Sequence, residues 1–358
     1  MAHASPVEQR LVERFVHELG ALPDVRIADS REFAAMVSRS TNLAIALTVA
    51  GNPITLDVVV RKAAYPRDAR VLVAQFVSRS RENSRGVVPF LIAESLSSGA
   101  KELLQSHRIG YFDSGGSMFL PAPNAFVLID RPAPKQLEKT IRSMFVGRRA
   151  QVLHALLTDS RSGFGVNSLA ERALVAASTV SDVFAELERL DWLESRGHGP
   201  NKLRHLREPA ALLDAWATDY AQATPQKTHR FYVPGLKSDA LIEHLSGSLG
   251  AREIEYALSY EAAAQRYAPF LSSISQVHIR LLPNALTDAA LGELDARVVA
   301  EGANLTVIET KAEGDLLFRQ QIDGVWLASP VQVYLDLQRG EGRSKELATH
   351  LRKERIAF

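Results

Sequence analysis

Residues 178–206, "STVSDVFAELERLDWLESRGHGPNKLRHL", begin as one kind of structure and end as another. In the first half, apolar residues recur at helical spacing and predict one buried helix face: Val180, Val183, Phe184 and Leu187. Ser178 or Thr179 can cap the N-terminus of this helix, and Thr179 with Asp182 makes a capping-box pattern. The stretch therefore predicts an amphipathic helix with a defined start.

The second half of the stretch predicts a two-stranded hairpin. "WLES" and "LRHL" are strand-like, and the glycine-rich "GHGPNK" between them forms a turn. A preceding helix, "VNSLAERAL", is joined to the first by the short "VAA", as a helix-turn-helix requires. Residues 145–208 thus resemble a winged helix-turn-helix domain of the kind found in MarR-like bacterial regulators.

The residue types on this unit favour contact with DNA. Small polar residues at a helix N-terminus can approach a major-groove floor and its phosphates. Cationic side chains on a wing suit phosphate or minor-groove contact. The predicted contacts are Ser178, Thr179, Ser181 and Arg189 on the helix, Arg196, His198, Asn201, Lys202 and Arg204 on the wing, and Arg148 and Arg149 on an earlier helix.

The predicted recognition helix has no Arg, Lys, Asn or Gln in its first two turns, where base readers usually stand. The wing is therefore expected to supply most of the affinity. The alternative is a helical bundle with a solvated basic hairpin, or a protein-interaction module of the same shape.

The charge distribution supports the same segment. Residues 135–207 hold 12 Lys and Arg against 8 Asp and Glu, whereas residues 208–358 hold 15 against 20. A local basic excess is typical of phosphate binding. The chain has no cysteine, no signal-like start and no apolar run of membrane length, so a cytoplasmic protein is expected.

The 358 residues predict an α/β multidomain protein with three domains. Residues 1–130 show an α–β–β–α–β–α–β order that resembles the restriction-endonuclease-like fold. Residues 136–223 are almost entirely helical apart from the hairpin, and they contain the winged helix-turn-helix. Residues 229–358 alternate strands and helices and predict a second α/β domain.

Two enzyme motifs are incomplete, because residues that their chemistry requires are missing. A nuclease of this kind needs an acid and an acid-x-lysine pair to hold magnesium, yet with Arg61 at the lysine position the acid position is Val59. Asp57 alone is a poor magnesium site, so the first domain is predicted to be a degenerate relative. Asp113 is expected to be structural, in a tight strand-to-strand turn.

A nucleotidyltransferase would need Gly-Ser followed by an acid-x-acid pair. Gly247 and Ser248 precede Glu253 and Glu255, but the spacing is too short, and the two glutamates are predicted to form the outward face of a strand. The ten histidines are scattered without metal-ligand spacing. We expect no catalytic residue, no metal and no cofactor, so the chain is predicted not to be an enzyme.

Three stretches together resemble the AbiEi-type antitoxins of type IV toxin–antitoxin systems. They are "GYFDSGGSMFL", "YALSYEAAAQRYAP" and "SPVQVYLDLQRGEGRSKELATHLR". They are similar to the family's Tyr-x-Asp-x-x-Gly-Asn turn, its Tyr-Ala-Leu-Thr-Gly stretch and its closing Pro-Val-Gln-x-Tyr-x-Asp-Leu pattern. Ser117 stands where the family has Asn, and Tyr260 where it has Gly. The likeness spans roughly residues 85–355.

The resemblance implies a winged-helix regulator that binds and represses the promoter of its own operon. It also implies that the protein counters a nucleotidyltransferase-like toxin without a stable complex. A homodimer would match a palindromic DNA site. The alternatives are a solitary regulator without a toxin, and a nucleic-acid-processing enzyme of the nuclease or nucleotidyltransferase type.

Overall fold

The computed structural model describes residues 6–27, 42–80, 86–131, 141–199, 202–311 and 313–358. By their contacts they form two compact units, Met1–Arg142 with Ala185–Asp191, and Ser143–Phe184 with Trp192–Phe358. Each unit combines helices with sheets, which confirms the α/β class. The division into three domains stays a prediction. Within the described ranges, no helix is long and apolar enough to cross a membrane.

The first unit is built on a seven-stranded sheet whose strands follow chain order. Three central strands, β3 to β5, run parallel, and the outer pairs are antiparallel. The elements are α1 Pro6–Gly20, β1 Val25–Ile27, β2 Asn42–Val49, β3 Asn52–Ala64, α2 Pro66–Ser80, β4 Val87–Leu96, α3 Ser98–Ser106, β5 Gly110–Asp113, β6 Met118–Pro121 and β7 Phe126–Ile129.

Both faces of this sheet are covered, because successive residues of the central strands pack into different cores. Phe90 and Phe112 belong to the core under α1, where Phe15 packs against both rings. Their neighbours Leu91 and Tyr111 belong to the core on the opposite face. A strand buried on both faces reads as an apolar run rather than an alternating one, and "VVPFLIAESL" fits that rule.

The second unit starts with short helices and a three-stranded antiparallel sheet ordered β8-β10-β9. After a 3₁₀ turn at Ser143–Phe145 come α4 Gly147–Thr158, β8 Gly163–Phe164, α5 Val166–Ala173, α6 Ala177–Arg189, β9 Leu193–Arg196, β10 Leu203–Leu206 and α7 Pro209–Gln222. The end of α6 is grouped with the first unit.

The rest of the second unit is a seven-stranded mixed sheet with helices, ordered β14-β11-β15-β13-β12-β17-β16. Its elements are β11 Thr228–Tyr232, α8 Ser238–Gly250, β12 Tyr256–Ser259, α9 Tyr260–Tyr267, β13 Val277–Leu281, α10 Ala285–Glu293, β14 Arg297–Val298, β15 Leu305–Glu309, β16 Gln320–Ile322, β17 Val325–Leu327, α11 Pro330–Leu337 and α12 Ser344–Leu351. A π-helical turn, Arg352–Ile356, follows α12.

Two local predictions are wrong. α6 begins at Ala177, so Ser178 and Thr179 lie in its first turn rather than at a capping position. Glu253 and Glu255 precede β12 instead of lying on it. Glu253 has a φ of 54° in a turn whose backbone bonds back to α8, and this left-handed backbone cannot continue a strand.

Candidate nucleic-acid interface

Helix α6 has one buried and one exposed face, as its sequence predicts. Val180, Val183, Phe184 and Leu187 are all 2% exposed or less. Among the predicted contacts on this helix, Ser178, Ser181 and Arg189 are exposed, and Thr179 is half-buried. Ser181 donates its hydroxyl to the Ala177 carbonyl at 3.0 Å. The exposed face is therefore small and polar, with its only arginine at the last residue of the helix.

The turn between α5 and α6 is tight and fixes where α6 starts. Leu174 adopts a left-handed φ of 50°, and the Val175 amide donates to the Ala170 carbonyl at 3.0 Å. Arg148, in the first turn of α4, donates to the Leu174 carbonyl at 2.8 Å. Arg148 and Thr179 line one open groove together with Asn167 and Glu171. The structure thus brings the first turns of three helices to one surface.

The other predicted cations near α6 already have local partners. Arg149 donates to the Ser143 hydroxyl at 3.2 Å and lies 3.9 Å from the Asp182 carboxylate. Arg189 pairs with Glu186 at 3.1 Å. These contacts lie at the surface and are at least partly open to solvent. Surface ion pairs contribute about 1 kcal/mol or less, so either arginine can exchange its partner for a phosphate at small cost.

The hairpin presents its cations unequally. Arg196 ends β9, is 67% exposed and pairs with Glu194. His198 is exposed in the turn, between Gly197 and Gly199, whose φ values of 80° and 59° favour glycine. Lys202 is half-buried, and Asn201 lies outside the described residues.

Arg204 is half-buried in the small sheet and packs on α6. Its guanidinium carbon lies 5.2 Å from the centre of the Phe184 ring, and its Nη1 donates to the Lys202 carbonyl at 3.2 Å. A cation over an aromatic face is attractive. Arg204 therefore contributes to holding the hairpin against the helix, which its sequence context did not indicate.

Helix α4 is anchored to the rest of the second unit through a buried histidine. His154 stacks on Phe318 at 4.6 Å, meets Trp216 edge-on at 5.9 Å and hydrogen-bonds the Ser329 hydroxyl. Burial, followed by the field of Arg280, lowers the pKa of His154 to about 3. The imidazole is therefore neutral at ordinary pH. No motif marked this residue, because its partners are far away in the chain.

A buried ion pair ties the end of α7 to the C-terminal sheet. Arg280 on β13 donates from Nε and Nη2 to the two Asp336 oxygens, each at 3.0 Å. Tyr220 of α7 donates to Asp336 Oδ1 at 2.7 Å, and Gln226 accepts from Arg280 at 2.7 Å. Burial and the Asp336 charge raise the pKa of Tyr220 to about 12. The pair is only 1–2% exposed, and it too was missed from sequence.

The acidic residues of the candidate enzyme motifs do not form a common site. Asp113 is fully buried and pairs with Lys101 at 2.9 Å, while Asp57 is half-buried on β3. Glu255 pairs with Arg319 at 2.5 Å. Across the described ranges, no three His, Cys, Asp or Glu side chains come close enough to hold a metal ion.

Comparison with known proteins finds a family likeness in the C-terminal part of the chain. Residues 205–357 match the family model described as transcriptional regulator, AbiEi antitoxin, type IV toxin–antitoxin system. The comparisons with curated proteins and with solved structures gave no match. The matched region starts within β10 and contains α7 and the whole C-terminal sheet. Over residues 205–357 the chain is therefore similar to the AbiEi antitoxins, transcriptional regulators of type IV toxin–antitoxin systems.

Proposed function

We propose that residues 143–223 form a winged helix-turn-helix that binds double-stranded DNA upstream of the chain's own gene and represses it. The observation that carries this proposal is the element order α4–β8–α5–α6–β9–β10 with sheet order β8-β10-β9, within the basic segment of the chain. In this arrangement α6 lies in the major groove and the β9–β10 hairpin is the wing.

In the proposed docking, most contacts are made to the sugar-phosphate backbone of the DNA. α6 offers Ser178 and Ser181 to the groove, which gives fit but few base-specific bonds. Arg148 at the start of α4 and Arg196 and His198 on the wing contact phosphates. Arg204 packs on Phe184 and so supports the wing, and its contact with DNA remains part of the proposal.

Electrophoretic mobility shift on the upstream DNA tests the wing. The double variant Arg196→Gln/His198→Gln is expected to weaken binding and to flatten the slope of log affinity against log salt by about 1 per lost phosphate contact. Arg297→Gln is the matched control. Arg196 and Arg297 are both 67% exposed and both pair with an acid two residues earlier, but Arg297 lies on the C-terminal sheet.

Comparison of the double variant with Arg297→Gln distinguishes a wing contact from a general charge effect. Unchanged binding and salt slope in the double variant, with Arg297→Gln also unchanged, would remove the wing from the interface. Equal losses in both variants would point to a general charge effect. Arg204→Ala is unsuitable as a first test, because it also removes packing on Phe184.

We further propose that the chain counters a nucleotidyltransferase-like toxin without forming a stable complex, and that it acts in the cytoplasm as a homodimer. The family match supports the antitoxin part. Co-expression with the product of an adjacent toxin gene should restore growth while affinity purification recovers no toxin. The absence of such a gene, with retained promoter binding, would favour a solitary regulator instead.

The N-terminal unit is proposed to be a degenerate restriction-endonuclease-like domain, and the chain is proposed to have no enzymatic activity. The burial of Asp113 against Lys101 supports a structural role for that acid. Magnesium-dependent cleavage of DNA that is lost in Asp57→Ala would overturn this proposal.

A further inference from the structure

A cleft of about 460 Å³ opens in the second unit, between the end of α7 and the start of the C-terminal sheet. Its walls include Tyr220, Pro225, Thr228, Tyr260, Arg339 and Lys345. This volume lies in the range of small-molecule sites, which combine apolar walls with a few convergent polar groups.

One wall is a stacked pair of rigid side chains. The Arg339 guanidinium lies 4.1 Å from the centre of the Tyr220 ring. It also donates from Nε to the Tyr220 carbonyl at 2.7 Å and from Nη2 to the Ala223 carbonyl at 2.8 Å. Arg339 is thereby held in place at the cleft without losing its charge, since carbonyls are neutral acceptors.

The other wall is held in an unfavourable backbone conformation. Tyr260 has a φ of 51°, in the left-handed region that is unfavourable for a residue with a Cβ atom. Its ring stacks on His278 at 4.3 Å. Strain of this kind persists where the surroundings demand a particular side-chain position, and such positions cluster at ligand sites.

The charge lining the cleft is positive. Among the residues that the structure describes, the charged ones lining it are Asp336, Arg339 and Lys345. Asp336 is 1% exposed and is neutralised by its bidentate pair with Arg280. Arg339 and the exposed Lys345 are the two cations that line the cleft.

We propose that this cleft binds a small aromatic carboxylate. The aromatic ring packs against the Tyr220 and Tyr260 walls, and the carboxylate pairs with Lys345 and Arg339. Tyrosine faces favour flat rings, and charge-assisted bonds to a carboxylate are stronger than neutral ones.

The test uses the full-length protein and isothermal titration with 2-naphthoate, with 2-naphthamide as its uncharged match. Saturable binding of the carboxylate is expected, with affinity at least about tenfold weaker for the amide and for Lys345→Gln, because each loses a charge-assisted bond. Lys353→Gln removes an exposed lysine that does not line the cleft, and it should bind like the wild type.

Three results would overturn the proposal. These are no saturable binding of 2-naphthoate, equal binding of the amide, or equal binding by Lys345→Gln and wild type. Lys345 is exposed, so its replacement leaves the fold intact, which far-ultraviolet circular dichroism can verify. The titration uses no DNA, so its outcome is independent of promoter binding.

Discussion

Arg280 and Asp336 lie 56 residues apart in the chain, yet each is almost completely withdrawn from solvent beside the other. Removing a charge from water is costly, and the cost is recovered only when partners satisfy the remaining donors and acceptors. Here Ser259, Gln332 and Tyr220 also donate to Asp336, and Gln226 accepts from Arg280. The network is stabilising only as a complete set.

Asp336→Asn is therefore expected to lower the free energy of unfolding by about 3–5 kcal/mol, since it leaves the Arg280 charge buried and uncompensated. Urea denaturation followed by circular dichroism measures this loss. Asp295→Asn is the control, because its pair with Arg297 is exposed and should contribute about 1 kcal/mol or less. Similar small losses in both variants would contradict the assigned role of the buried pair.

His154 predicts a second residue-level effect, which depends on pH. Burial lowers its pKa from 6.5 to about 3, so between these values the unfolded chain binds a proton that the folded chain excludes. Its contribution to stability is complete above pH 6.5 and is lost as the pH falls toward about 3. The slope approaches about 1.4 kcal/mol per pH unit.

In His154→Phe this part of the acid sensitivity should be missing. Unfolding free energies of both proteins are measured in urea at several pH values from about 7 to 4. The wild type is expected to lose stability more steeply than the variant over that range. Parallel curves would show that His154 is protonated in the folded chain.

At the scale of elements, sequence periodicity predicted the type and the buried face of an element where these depend on its own residues. The buried face of α6 and the β9–β10 hairpin followed from spacing and glycines alone. Arg204 on Phe184 could not be predicted in this way, because the contact depends on how a strand crosses a helix. The prediction that Glu253 lies on a strand was wrong for another reason. Its left-handed backbone interrupts a strand-like pattern at a position where no glycine marks the turn.

Ser178→Glu should separate the stability of α6 from its proposed function. A carboxylate in the first turn of a helix interacts favourably with the helix dipole and stabilises the helix by about 0.3–1 kcal/mol. The melting temperature should therefore stay the same or rise. DNA affinity should fall, because the new charge faces phosphate. Ala285→Glu places the same carboxylate in the first turn of α10 and should leave DNA binding unaltered. Unchanged binding by Ser178→Glu would remove the start of α6 from the interface.

At the scale of the molecule, the central helices share a core with the C-terminal sheet. His154 reaches Phe318 and Ser329, Asp214 of α7 pairs with Arg352, and Arg339 caps carbonyls at the end of α7. Long-range contacts of this kind leave no trace in local patterns. The positions of Arg280, Asp336 and Tyr260 around one cleft were beyond reach from sequence for the same reason.

A fragment of residues 143–224 is therefore expected not to fold stably. Isolation would expose Trp216 and His154 and would remove the partners of Tyr220 and Asp214. Circular dichroism and proton NMR should show a poorly dispersed chain without cooperative unfolding, and the full-length protein serves as reference. A fragment that melts cooperatively and shifts DNA would contradict this prediction.

The buried histidine contact between α4 and the loop before α11 has a consequence for turnover in the cell. Because His154 packs α4 against the C-terminal part of the chain, a protease that opens the C-terminal sheet is also expected to destabilise the helices proposed to bind the promoter. On the proposed function, a single proteolytic event would then end both repression and antitoxin activity. Derepression of the operon would begin at the moment when protection fails, without a separate signal.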